Sequence, residues 1–151
     1  MSMALQPWPN TRKGDKGHPV HTLQYLLRQR GQTVNVDGEF GPETDAAVRA
    51  FQQANQLTVD GIAGRLTWSE LIVTVRRGST GDAVRAVQEE LRSRDQSGDQ
   101  QLVVDGDFGP ETEAAVLAFQ EGVRAGTPEM AADGIVGPMT WQAMVSGMLS
   151  H

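Results

Sequence analysis

The sequence predicts an all-α protein made of two tandem three-helix bundles joined by a short linker. Two observations predict it: the second half of the chain repeats the first, and each half carries three short apolar stripes at helical spacing. The 151 residues, 38% hydrophobic and 21% charged, have the composition of a folded globular chain. The 17 glycines cluster between the stripes, where they predict tight turns.

The internal repeat is most evident in residues 36–44 and 104–112, which differ at a single position. Equivalent residues lie 68 positions apart here, 64 apart upstream (Gly14 and Gly78) and 73 apart downstream (Asp60 and Asp133). The second copy therefore carries two insertions, one within residues 95–101 and one around residues 126–131. Both segments are polar or rich in Gly, which predicts surface loops.

The first helix of each repeat is predicted from apolar residues at positions i, i+3 and i+7. On a helical wheel of about 100° per residue, Tyr25 points about 140° away from Val20, so we expect Tyr25 to be exposed. The two apolar stripes are Val20, Leu23, Leu27 and Val84, Val87, Leu91.

The second and third helices of each repeat follow the same spacing, and the Trp at the head of each third stripe is predicted to close the bundle. Gly41 and Gly109 are expected at the N-cap, with Pro42 and Pro110 at the first helical position, where a missing N–H costs nothing. The second stripes are Thr44, Ala47, Val48, Phe51 and Thr112, Ala115, Val116, Phe119. The third stripes are Trp68, Leu71, Ile72, Val75 and Trp141, Met144, Val145, Met148.

Four Asp-Gly pairs precede the second and third helices of the two repeats. An Asp side chain at such a turn accepts hydrogen bonds from nearby backbone N–H groups, and the Gly tolerates positive φ. The Phe or Ile that follows is expected to point inward. The four Asp are Asp37, Asp60, Asp105 and Asp133.

The domain organisation that follows is an N-terminal arm over residues 1–13, a first module over 14–75 and a second over 76–151. Trp8 is expected to lie against a helix surface. The linker, residues 73–77, is short and not rich in Gly or Ser, so we expect the bundles to touch.

Composition and motifs exclude several functions. The net charge of −6 and the lack of a polybasic cluster argue against nucleic-acid or membrane partners. Zero Cys removes disulfide and thiolate chemistry, and residues 1–14 lack the pattern of a signal peptide. No catalytic motif or carboxylate pair across a cleft is evident, and His18 and His21 lack a third metal ligand. We therefore predict no enzyme activity, metal or cofactor.

Together the motifs of each half resemble the peptidoglycan-binding domain of the type 1 family. Gly-x-x-Gly-x-x-Val-x-x-Leu-Gln-x-x-Leu is followed by Val-Asp-Gly-x-Phe-Gly-x-x-Thr and by Val-Asp-Gly-x-x-Gly-x-x-Thr-Trp. Residues 14–72 carry the pattern nearly complete, and residues 78–146 carry it with the insertions and Val87 in place of a Leu. The style of the sequence is also similar to actinobacterial members.

The resemblance implies a bacterial protein at the cell wall or outside the cell that binds the glycan strand or stem peptide of peptidoglycan. We expect a shallow groove formed by the first helix and the Asp-Gly turns of each module. For the Gln and Asp residues, a structural role in the turns is the favoured alternative. The candidate ligand residues are Gln24, Tyr25, Asp37, Phe40, Asp60, Gln88, Asp105, Phe108 and Asp133.

The predicted function is non-catalytic peptidoglycan binding by two homologous modules. Family members usually accompany a catalytic domain, and none fits in the rest of this chain. One alternative is the targeting region of a larger cell-wall hydrolase or phage lysin. The other is an adaptor that uses the same fold to dock onto a catalytic or particle partner protein. The pro-segment role that this fold has in animal metalloproteinases needs a Cys that is absent here.

Overall fold

The computed structural model describes residues 4–94 and 102–149, which form six helices and, apart from isolated β-bridges, no strands. This confirms the all-α fold. The predicted loop within residues 95–101 lies outside the described residues. The first module contains α1 (Val20–Gln29), α2 (Pro42–Ala54) and α3 (Arg65–Leu71), and the second contains α4 (Asp82–Arg92), α5 (Pro110–Arg124) and α6 (Pro138–Val145).

The helix starts agree with the predicted Gly-Pro signal. Gly41 and Gly109 occupy the N-caps in extended conformation, and Pro42 and Pro110 open the helices behind them. No side chain caps these ends, so the turn before each helix must be held by other contacts.

The prediction that Val75 continues the third helix is wrong. α3 ends at Leu71, and Ile72 is already extended. Val75 instead exchanges two backbone hydrogen bonds with Val136 of the second module, at 3.2 and 2.8 Å. Its side chain is 5% exposed and belongs to the hydrophobic core, although the residue lies outside α3.

The arm and the linker hold the two modules in equivalent ways. Thr11 pairs with Ala63 as Val75 pairs with Val136, and each of these partners follows the second Asp-Gly turn of its module. Trp68 Nε1 donates to a carbonyl of the arm at 3.2 Å, and Trp141 Nε1 to a carbonyl of the linker at 2.7 Å. Residues 9–11 and 73–75, 64 positions apart, therefore occupy matching places.

Trp8 lies against a helix, as predicted. Its ring stacks on Trp68 of α3, with centroids 6.0 Å apart and planes inclined by 14°. Trp68 and Trp141 are themselves fully buried, which confirms their predicted core position.

The core is continuous through both modules because α1 packs along α4. Leu26 of α1 and Ala86 of α4 are fully buried, although both lie outside the apolar stripes from which the helices were predicted. The expectation that the bundles touch is confirmed, and the contact is a shared hydrophobic core.

Tyr25 is not the freely exposed residue that the helical wheel predicted. It is half-buried and packs against the shared core, because α4 covers its side of α1. Burial raises the pKa of the Tyr25 hydroxyl, and the nearby Glu89 carboxylate on α4 raises it further.

A buried carboxylate, Glu90, connects the two modules. His18 Nε2 lies 2.9 Å from both Glu90 oxygens and 3.1 Å from the Met144 carbonyl oxygen, so this nitrogen is a donor. Arg94 Nη1 donates to Glu90 Oε1 at 2.7 Å, and the Thr22 hydroxyl donates to Oε2. Burial by itself raises the pKa of Glu90, but the hydrogen bond and charge of His18 and the charge of Arg94 outweigh it and hold that pKa below its usual value.

The insertion around residues 126–131 is a loop, but it is not simply a surface loop. Thr127 and Met130 are buried, and the Thr140 hydroxyl lies 3.5 Å from the Met130 sulfur. An apolar side chain inside the inserted segment makes this packing possible. The insertion therefore extends the core of the second module.

None of the helices in the described part of the chain is long and apolar enough to cross a bilayer.

Candidate functional site

Each Asp-Gly turn is assembled around a buried glutamine from the preceding helix. In the first turn, Gln24 Oε1 accepts from the N–H groups of Asp37 (3.1 Å) and Gly38 (2.9 Å). Gln24 Nε2 faces Asp37 Oδ1, the Glu39 carbonyl oxygen and Thr44 Oγ1 at 3.0 to 3.1 Å. One amide therefore ties α1, the turn and the first turn of α2 together.

The same arrangement recurs three more times. Gln52, Gln88 and Gln120 each hold an Asp carboxylate, a backbone carbonyl and a Thr hydroxyl with Nε2, and accept from the Gly N–H with Oε1. All four glutamines are at most 1% exposed. Their hydrogen-bonding capacity is used inside the fold, which favours the structural alternative.

The Asp side chains form the predicted turns. Asp37 Oδ1 accepts from the N–H of Glu39 at 3.0 Å, and the other three turns show the equivalent bond at 2.9 to 3.0 Å. The glycine behind each Asp has positive φ, between 74° and 80°. This backbone hydrogen bond is the main reason why the pKa values of Asp37, Asp60 and Asp105 are lowered.

Apart from the half-buried Tyr25, the predicted ligand residues fall into two groups. Gln24, Gln88, Phe40 and Phe108 are at most 3% exposed, because they form the turn and the core beneath it. The four Asp residues are exposed at the turns, which lie at separate places in the two modules. Direct ligand contact by any of these residues stays an untested prediction.

The prediction that an Ile after the Asp-Gly pair points inward is wrong. Ile62 and Ile135 are half-buried, whereas Ala63 and Val136, one residue later, are fully buried. The inward position is the third after the Asp, where the first turn of each module has a Phe.

An open groove of about 390 Å³ lies beside the second turn of the first module. It runs between the arm and the start of α3. Its position differs from the predicted groove along α1, because α4 covers one side of that helix. Asp60 is the predicted residue that lines it. The lining residues that were not predicted as ligand residues include Asn10, Arg12, Leu57, Thr58, Arg65 and Leu66.

The groove offers two cations and an apolar surface. Arg12 and Arg65 are exposed, and neither forms an ion pair with another described residue. Leu66 is 61% exposed and gives the groove an apolar surface. The sequence could have indicated this exposure, because Leu66 is apolar but lies outside the apolar stripe of α3.

Gly64 brings the arm close to this groove. A Cβ at position 64 would lie 2.8 Å from Asn10 Oδ1, so the Asn10 side chain packs directly over this glycine. Residues of the arm and of the second turn therefore line the groove together.

A duplicated helical unit with buried turn glutamines and a shallow polar groove defines a class of small binding module. The family model of the peptidoglycan binding domain matches residues 16–71 and 80–144, one match for each module. This chain belongs to the peptidoglycan binding domain family, as a tandem pair.

Two curated relatives are enzymes by name. The zinc D-Ala-D-Ala carboxypeptidase of Streptomyces albus G is 37% identical over 102 residues, which are 68% of this chain and 36% of that protein. The N-acetylmuramoyl-L-alanine amidase CwlM of Mycobacterium tuberculosis (strain ATCC 25618 / H37Rv) is 35% identical over 117 residues, which are 70% of this chain and 27% of that protein. The chain thus spans about a third of the length of these relatives.

Among solved structures, a peptidoglycan-binding protein from Clostridioides difficile in complex with glutamine hydroxamate is 40% identical. The match covers 42% of this chain and 40% of that chain, with a TM-score of 0.41.

Proposed function

We propose that this chain is a non-catalytic unit that attaches to bacterial peptidoglycan. The observation that carries the proposal is the family match in both modules. The open groove of the first module supports it, since it is a surface on which a polymer could lie without entering a deep cavity.

The acidic residues near the helix starts support a binding role rather than hydrolysis. Glu43 accepts from the Asn35 N–H at 2.7 Å, and Glu113 pairs with Arg77 at 3.1 Å. Asp45 pairs with Arg49 one turn along α2. Each of these carboxylates already has a structural partner, so none is placed as a free acid or base opposite another.

The place of action that fits this function is the cell wall, outside the membrane. The two enzymes named above contain much more chain than the part matched here. This favours a second candidate, in which the chain is the targeting region of a larger wall hydrolase. Both candidates share the same direct activity, which is binding to the wall.

A sedimentation assay with purified cell-wall sacculi tests the proposal. We expect the protein to pellet with sacculi in a saturable manner and to release no soluble wall fragments. Protein that remains in the supernatant at both low and moderate salt would overturn wall binding. Release of soluble fragments would overturn the non-catalytic assignment.

A further inference from the structure

We propose that wall binding is concentrated in the first module, whose groove takes a carboxylate-bearing stem peptide between Arg12 and Arg65. This inference rests on the proposed function and assigns the ligand class and the module. Two arginines at one groove contrast with the acidic character of the whole chain, which has a net charge of −6.

The charges of the groove favour an anionic ligand. Arg12 reaches it from the arm and Arg65 from α3, and both guanidinium groups are free of ion pairs with other described residues. Asp60 also lines the groove, but its Oδ1 accepts from Gln52 Nε2 and from the Ile62 N–H. The groove lining therefore carries two arginines without an ion pair among the described residues and one carboxylate that is engaged internally. A guanidinium can bind a ligand carboxylate through two parallel hydrogen bonds.

The apolar part of the groove favours a peptide over a bare glycan. Leu66 and the half-buried Leu57 give a surface for aliphatic side chains. In peptidoglycan the free carboxylates belong to the stem peptides, whereas the acetylated sugars of the strand present mainly neutral groups. A stem peptide combines the two features that this groove complements.

The second module lacks this combination. The position of Arg65 is Pro138 there, which removes one cation, and the position of Leu66 is Met139, which is half-buried against the core. Met130, within the inserted segment, is 2% exposed. Of the two groove arginines, the second module has only the equivalent of Arg12, which is Arg76.

The experiment compares the full chain with the double variant Arg12→Gln, Arg65→Gln and with the matched control Arg76→Gln. Binding is measured by pelleting with intact sacculi and, in solution, by calorimetric titration with free stem peptide and with the glycan strands that remain after an amidase has removed the stem peptides. The stripped strands are soluble, because the stem peptides carry the cross-links of the wall. We expect the double variant to lose at least about tenfold in affinity for intact sacculi and the control to match the parent chain. In solution, the parent chain should bind the stem peptide and should not bind the stripped glycan. All variants should keep the parent melting temperature, because the arginines substituted have no ion pair among the described residues.

The outcomes separate the two proposals. If the parent chain fails to pellet with intact sacculi, the proposed function is wrong. If the parent pellets and the double variant pellets equally, wall binding stands and the arginine groove is wrong. Equal binding of the parent to stripped glycan would overturn the stem-peptide assignment, and an equal loss in the Arg76→Gln variant would overturn the assignment to the first module.

Discussion

Replacing a buried turn glutamine distinguishes a structural role from a ligand-binding role. Gln24 is fully buried, and its amide makes contacts with five partner groups of the first turn and α2. The variant Gln24→Met keeps a similar volume but removes every one of these hydrogen bonds. A purely structural role predicts a loss of stability without a change in the affinity of the folded protein.

The expected loss in the free energy of unfolding follows from the buried groups that lose their hydrogen bond to Gln24. The Gly38 N–H and the Thr44 hydroxyl belong to buried residues, so water cannot replace the amide there. At about 1–3 kcal/mol for each stranded buried group, we expect a cost of about 3 kcal/mol or more in the free energy of unfolding. For a chain of this size that lowers the melting temperature by about 6–12 °C.

Urea denaturation and thermal melting followed by circular dichroism measure this change. Gln53→Met is the matched control, since Gln53 is exposed on α2 and should change stability by less than about 0.5 kcal/mol. Sacculus binding of Gln24→Met, measured well below its melting temperature, should equal that of the parent chain. A loss of stability below about 1 kcal/mol together with weakened binding would refute the structural interpretation.

Three further predictions concern the module interface and the turns. Glu90→Ala should lower the free energy of unfolding, measured by urea denaturation, by about 3–5 kcal/mol, because it leaves the buried Arg94 guanidinium without its carboxylate. A loss below about 1 kcal/mol would contradict this. Gly38→Ala should lower the free energy of unfolding by about 2 kcal/mol or more, because φ is +76° and the His21 ring occupies the place of the new Cβ. The control Gly31→Ala, which also has positive φ but open space around the new Cβ, should lower it by about 1 kcal/mol. Equal losses in the two variants would argue against the steric reason. Because the pKa of Asp105 is lowered in the folded protein, its carboxylate adds stability at neutral pH that is lost as the pH falls below about 3.8. The urea midpoint of the parent chain should therefore drop between about pH 5 and about pH 2.5, and it should drop less in the Asp105→Asn variant. A midpoint that rises on acidification would refute the linkage.

Local patterns predicted most of the fold correctly. The stripe of Val20, Leu23 and Leu27 is fully buried, and the Gly-Pro signal opens α2 and α5 as expected. These features depend on helical periodicity and on the backbone preferences of single residues, which are properties of short segments. The end of α3 was missed because the pairing of Val75 with Val136 is a long-range contact.

The sequence by itself determined the duplication, the helices and turns of each module, and the family. Only the tertiary structure decided that α1 and α4 share one core, with Leu26 buried and Tyr25 half-buried on a face that looks exposed when each helix is considered alone. It also decided that Arg12 and Arg65, more than fifty positions apart in the chain, line the same groove. The physical reason is that periodicity records which side of a helix faces its own module, whereas burial between modules depends on how complete bundles pack.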